Sequence, residues 1–219
     1  MPVVTVLQLD TDFPRVPGDV ACPDTYRGEI EIIRIPHATV GQVVRTRPDL
    51  IDITPFEDAV RRAQGEVIVT SCGFLSYWQD HLAGLADRPF ISSALTALGS
   101  LCKTYAPHEI LTLTFDADSL TEQHLGPYRP DVIGLPVDLH LRRVISENQR
   151  SLDVTIAEAE AVKCVMDRQQ PHHKRLLLEC TNLPPYKAAL ARQTGLPVSD
   201  ILTCIEAARP GTIRKAFLS

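Results

Sequence analysis

The chain has 219 residues, 44% hydrophobic and 22% charged, with a formal net charge of −5. That length can bury a sizeable core as one domain or two small lobes. The negative balance and the lack of any Lys/Arg block argue against a nucleic-acid or acidic-membrane surface, so a small polar metabolite is the expected partner.

The opening "MPVVTVLQLDTDFPR" has no basic leader and its apolar stretch stops at Asp10, so no signal peptide is predicted. No apolar run approaches a membrane span, and a cytoplasmic protein is expected. "VVTVLQL" from Val3 predicts the first strand. Thr11 to Gly28 then form a long loop rich in proline (Pro14, Pro17, Pro23), a composition that predicts a binding loop or lid. "EIEIIRI" from Glu29 predicts a second strand. "TPFEDAVRRAQG" predicts a helix with Thr54 as N-cap, Pro55 in the first turn, Glu57 closing a capping box and Gly65 as the stop.

"EVIVT" from Glu66 is the next strand and runs straight into Cys72. "EILTLTF" from Glu109, "DVIGL" from Asp131 and "RLLLE" from Arg175 follow, the last running into Cys180. Ahead of Arg175, a polar, Ala-rich stretch predicts one broken helix or two, with Ser151 or Asp153 able to cap the second. Pro171 to Lys174 predicts an exposed turn whose His172 and His173 are solvated rather than metal ligands. Near-continuous apolar strands alternating with helices predict parallel sheets covered on both faces.

The pattern repeats. Pro89 and Ser92 lie 17 and 20 residues after Cys72, and Pro197 and Asp200 lie at the same offsets from Cys180. Asp10 precedes Cys72 by 62 residues, and Asp116 precedes Cys180 by 64. Two related α/β halves are therefore predicted, each with one strand ending in Asp and another ending in Cys. Ligands of open parallel sheets bind beyond the carboxyl ends of the strands, so the two thiols should face each other across a cleft.

A cysteine where a strand gives way to a helix feels unpaired N–H groups and the positive end of a dipole, an environment expected to favour thiolate over thiol. Those amides also suit a substrate carboxylate. A carbon acid held between two such thiols could lose a proton to one face and regain it on the other. Positioning and hydrogen bonds to the developing enolate would supply most of the barrier reduction. The residues beside the thiols, Thr70, Ser71, Gly73, Thr181 and Asn182, are the expected substrate contacts. Arg15, Phe74, His37 and Tyr186 are further candidates, with Arg15 suited to pair with a second carboxylate. Six cysteines without CxxC spacing predict free thiols, not a disulfide scaffold or a zinc site. Cys102, Cys164 and Cys204 read as small buried hydrophobes, and Cys22 is unassigned.

"LDTDFPRVPGD", "TSCGF" and "ECTNLPPY", in this order and separation, resemble the aspartate/glutamate racemase superfamily. The resemblance implies two pseudo-symmetric flavodoxin-like lobes, each a parallel α/β sheet flanked by helices, with the active site in the cleft between them. The first lobe would be residues 1–98 with 207–219 returning to it, and the second 99–206. Cys72 and Cys180 would be the paired acid and base, Asp10 and Thr11 would assist the first cysteine, and Thr181 would hold the substrate carboxylate. No cofactor, no metal and a homodimer or higher homo-oligomer are implied. The leading expectation is a racemase or epimerase of a small amino-acid-like carboxylate. Lyases and isomerases on the same scaffold, such as dimethylsulfoniopropionate lyase, maleate isomerase or hydantoin racemase, form the alternative. Outside enzymology, the alternative is a two-lobed binding protein or a thiol redox sensor.

Overall fold

A computed structural model describes residues 1–218. Ser219, the last residue of the expected return to the first lobe, lies outside the described residues. Each predicted strand is present: β1 (Val4–Gln8), β2 (Ile30–Arg34), β3 (Val67–Thr70), β5 (Ile110–Thr114), β6 (Asp131–Gly134) and β7 (Arg175–Leu178). Two further strands, β4 (Phe90–Ile91) and β8 (Val198–Ser199), follow the repeat landmarks Pro89 and Pro197. Those prolines lack an N–H but still accept at the carbonyl, from Ile68 N–H (2.9 Å) and Leu176 N–H (3.0 Å) respectively.

The strands make two parallel sheets of the same order, β2-β1-β3-β4 and β6-β5-β7-β8. Each order switches direction between its first strand and the cysteine-bearing strand, the point where open α/β sheets bind ligands. Central strands β1, β3 and β5 are buried on both faces, as continuous apolar runs require. Edge strands β2 and β6 are half-buried at most positions.

The Ala-rich stretch forms two helices, His140–Ser146 and Val154–Met166. Asp153 caps the second, its carboxylate accepting from Thr155 and Ile156 N–H (3.0 Å each). The helix Thr54–Arg62 differs from expectation at both ends. Thr54 is its first residue rather than its cap, and Asp52 receives the Thr54 N–H (3.1 Å) instead. Gly65 stands beyond the helix end, against β1, where a side chain would overlap the Thr5 backbone.

The loop Thr11–Gly28 is packed rather than loose: Asp19, Val20, Ala21, Thr25 and Tyr26 are all buried. Its far end pairs with the C-terminal segment through Arg27 N–H to Thr212 O and Arg214 N–H to Thr25 O, both 3.0 Å. Cys22 is buried within this loop. Cys164 is buried as expected, whereas Cys102 and Cys204 are half-buried. No helix among the described residues is long and apolar enough to cross a membrane.

Candidate active site

Cys72 and Cys180 each emerge two residues beyond the last paired residue of their strands, Thr70 opposite Leu7 and Leu178 opposite Leu113. The backbone N–H two residues on, of Phe74 and of Asn182 respectively, favours the ionised form of each sulfur. Both thiols line one cavity, together with Ser71, Gly73, Phe74, Thr181, Asn182, Glu179 and Arg15. Leu9, Phe13, Val40, Val44, Phe115 and Ile145 complete an apolar wall. Free space is about 30 Å³, room for roughly one or two waters. A substrate therefore enters only if rim side chains move.

The two cysteine loops are joined directly. Thr181 Oγ1 donates to Ser71 O (2.7 Å), and Ser71 Oγ accepts the Leu9 N–H (3.0 Å). Thr181 is thereby committed to Ser71, its hydroxyl spent on the frame. Gly73 is fixed by contact: a Cβ there would overlap the Glu179 carboxyl.

The thiols have unequal surroundings. Cys180 Sγ donates to Asn182 Oδ1 (3.8 Å), and Asn182 Nδ2 in turn donates to Asp19 Oδ2 (2.6 Å). Asp19 thus sets the amide so that its oxygen faces the thiol. Asp19 also pairs with Arg15 (3.3 Å), whose Nη2 donates to Thr11 Oγ1 (3.1 Å). Arg15 Nε is buried without a partner among the described residues.

The expected thiolates are not what this environment favours. Burial, reinforced by Glu179, pushes Cys72 up to about 12, against the opposing pull of the Phe74 N–H and Arg15. Cys180 is raised well above its ordinary value for the same first two reasons. Desolvation of a buried sulfur outweighs one N–H and the end of a short helix.

Five expected site residues stand outside the cavity lining. Asp10 is turned to the surface, held by Arg34 Nε (2.5 Å) and the His37 N–H (3.1 Å). His37 lies on that same exposed rim, with φ at 64°. Thr11 sits behind Arg15. Thr70 is buried beneath the cysteine turn, donating to Ser92 O (2.6 Å). Tyr186 is fully buried, its hydroxyl unpartnered among the described residues.

Sequence reasoning passed over Glu179 and Asp19. Glu179 is fully buried; Thr114 Oγ1 donates to its Oε2 (2.6 Å), while Oε1 has no partner among the described residues. Burial raises it to about 7, opposed by the Thr114 hydroxyl and the Phe115 N–H.

Asp131, His172 and His173 form the one grouping of metal-ligand type found among the described residues. His172 is exposed as predicted, but His173 is buried. His173 Nδ1 accepts the Gln170 N–H (2.9 Å), so in the neutral ring Nε2 carries the proton and donates to Asp131 Oδ2 (3.0 Å). A protonated Nε2 has no lone pair for a metal, and the cluster is built as hydrogen bonds.

No family model matches the chain. Curated relatives include dimethylsulfoniopropionate lyase 7 of Emiliania huxleyi, 31% identical over 92% of this chain and 64% of the relative. The dimethylsulfoniopropionate lyase of Durusdinium sp. clade D is 26% identical over 90% of this chain and 70% of the relative. The chain spans 64%, 44% and 58% of the lengths of three Emiliania huxleyi relatives. Among solved structures, allantoin racemase from Pseudomonas fluorescens superposes with a TM-score of 0.60 at 13% identity, covering 93% of this chain and 89% of that one. Arylmalonate decarboxylase gives 0.58 at 16% identity, over 97% and 96%, and Picrophilus torridus aspartate racemase 0.51 at 10%, over 98% and 97%. In fold, the chain is similar to these two racemases and this decarboxylase.

Proposed function

We propose that the protein is a cofactor-independent lyase that removes a proton from the carbon beside a carboxylate and eliminates dimethyl sulfide from dimethylsulfoniopropionate. The observation that carries this reading is the inequality of the two thiols. A racemase exchanges protons on two faces and calls for two interchangeable sulfurs, whereas an elimination needs one base. Cys180 has its proton engaged by an amide that Asp19 has oriented. Cys72 is the thiol that feels Arg15. The curated relatives at 26–31% identity, all dimethylsulfoniopropionate lyases, support the same choice.

In the reaction Cys72 as thiolate takes the α-hydrogen, the C–H pair becomes the double bond of acrylate, and the C–S pair leaves with neutral dimethyl sulfide. Arg15, with its unpartnered Nε–H, and the amides after the cysteines suit the carboxylate. The Phe74 ring suits the sulfonium, which is drawn to aromatic faces, whereas Phe13 and Phe115 each already carry an arginine over one face, Arg15 at 4.3 Å and Arg142 at 3.8 Å. The proposal includes a homo-oligomer and a cytoplasmic setting.

A racemase is the second reading, favoured by the matched backbone N–H beside each sulfur. Proton NMR in deuterated water separates the two. Elimination gives dimethyl sulfide and acrylate from dimethylsulfoniopropionate; racemisation places one deuteron on an otherwise unchanged amino acid or hydantoin. Cys72→Ser should lower acrylate formation by about 10²–10⁴-fold, the worth of a positioned base. Deuterium exchange into amino acids with no acrylate formed would reject the lyase reading.

A further inference from the structure

The phenylalanine rings that line the cavity differ in their neighbours. Phe13 and Phe115 carry guanidinium groups, whereas Phe74 meets the imidazole of His124. The two ring centroids are 5.1 Å apart and the planes are inclined at 75°, an edge-to-face pair. Phe74 belongs to the short helical segment Gly73–Trp78 that follows Cys72, and His124 to the short helix Glu122–Leu125 in the second half of the chain. Ser76 Oγ donates to the His124 carbonyl (3.0 Å), so the backbone of His124 is tied to the segment that carries Phe74.

His124 is buried, and one side of its ring is already engaged: Nδ1 accepts the Thr121 N–H (3.1 Å). In the neutral ring Nε2 therefore carries the proton. That nitrogen is buried with no hydrogen-bond partner among the described residues. A buried donor without an acceptor is costly. The electron-rich face of an aromatic ring is a weak acceptor, and an edge-to-face pair can supply it. Burial also pushes His124 down to about 4, so the imidazole is uncharged at neutral pH. Its neutrality matters, because a cation on one face of Phe74 would oppose a second cation on the other.

We propose that His124 is a positioning residue whose Nε2–H holds one face of Phe74, leaving the other face turned to the cavity for the cationic end of the substrate. His124 itself stands outside the cavity lining and acts through Phe74. The inference rests on the lyase reading for the identity of that cation, and on the ring contact for the seating of Phe74.

The seating is tested on the unaltered chain, grown with isotopically labelled histidine and observed by proton–nitrogen NMR. His124 and His173 are the buried histidines among the described residues, and their ring N–H protons should exchange slowly. The His173 Nε2–H, held by Asp131, should lie downfield, whereas the ring current of Phe74 should displace the His124 Nε2–H upfield. A proton on His124 Nδ1, or an Nε2–H without upfield displacement, overturns the proposal with no variant needed. The consequence for substrate is read by kinetics. His124→Leu removes the N–H and keeps much of the bulk; it should raise KM for dimethylsulfoniopropionate by about three- to tenfold and change kcat by less than about twofold. Inhibition by isocaproate, which has a carbon in place of the sulfonium sulfur, should be unchanged. His124→Gln, which again offers an N–H, should recover part of the loss. Equal weakening of both ligands, or a fall in kcat at constant KM, marks a merely structural role and overturns the proposal. If the chain forms no acrylate, the lyase reading fails by itself, and the spectrum still decides whether His124 seats Phe74.

Discussion

Ionising a carboxyl group that water cannot reach costs free energy, and Glu179 lets that cost be measured. Its ordinary value of 4.5 is raised to about 7 in the folded chain. A folded state that holds its proton longer than the unfolded one is favoured in acid, so this contribution is complete below about 4.5 and is lost as pH rises through 7. The difference is about 3 kcal/mol at pH 8, from 1.36 kcal/mol per pKa unit. Glu179→Gln should therefore raise the melting temperature at pH 8 and leave it unchanged at pH 4, as read by thermal circular dichroism. Cys72 and Cys180 were legible in the sequence because a duplication marks them at equal offsets. Glu179 was not: it stands beside Cys180 in the quoted motif, but its importance comes from burial and from a glycine 106 positions away. Asp10 misled for the converse reason, since the end of a strand fixes where a backbone stops, while Arg34 decided where the carboxylate points.

At the scale of elements, the repeat extends further than the landmarks that disclosed it. Gln79 and Lys187 each lie seven residues after their cysteine and face the residue at the twentieth offset. In the first half Ser92 donates through N–H (2.8 Å) and Oγ (2.7 Å) to Gln79 Oε1. In the second, a buried Lys187 faces a buried Asp200 at 3.4 Å. One architectural slot is thus filled by a neutral pair in one lobe and an ionic pair in the other. Asp200→Asn should destabilise by about 3–5 kcal/mol, since it strands a buried ammonium without its counter-charge. Replacing both, Lys187→Gln with Asp200→Ser, copies the neutral lobe and should recover most of that loss in urea unfolding; Ser also keeps a cap for the helix Ile201–Ala208. The six longer strands were readable from apolar runs. β4 and β8 escaped because two residues are too few to show a period, although Pro89 and Pro197 announced them. The cap of Thr54–Arg62 was misplaced because Asp52 reaches the same N–H group from outside the helix.

Across the whole molecule, the fold was legible from strand and helix alternation together with the duplication, whereas the closed state of the cavity was not. Closure depends on side chains from both lobes meeting at the rim, Val40 and Val44 from one and Ile145 from the other. Beside them Asp12 N–H donates to Asn148 Oδ1 across the lobes (2.7 Å). That bond is exposed, so its net worth is about 1 kcal/mol or less. Asn148→Ala should hasten iodoacetamide labelling of Cys72 severalfold at constant pH, with little change in melting temperature. An unchanged labelling rate would place the gate elsewhere on the rim.

The bond from Thr181 to the Ser71 carbonyl gives this gating a direction. It fastens the cysteine turns to each other at the bottom of the cleft, where water cannot compete for the hydroxyl. If the halves swing apart about that fastening, the mouth gapes while the sulfurs near the pivot hardly separate. Breathing of the cleft would then admit and release small molecules without resetting the spacing at which the proton moves.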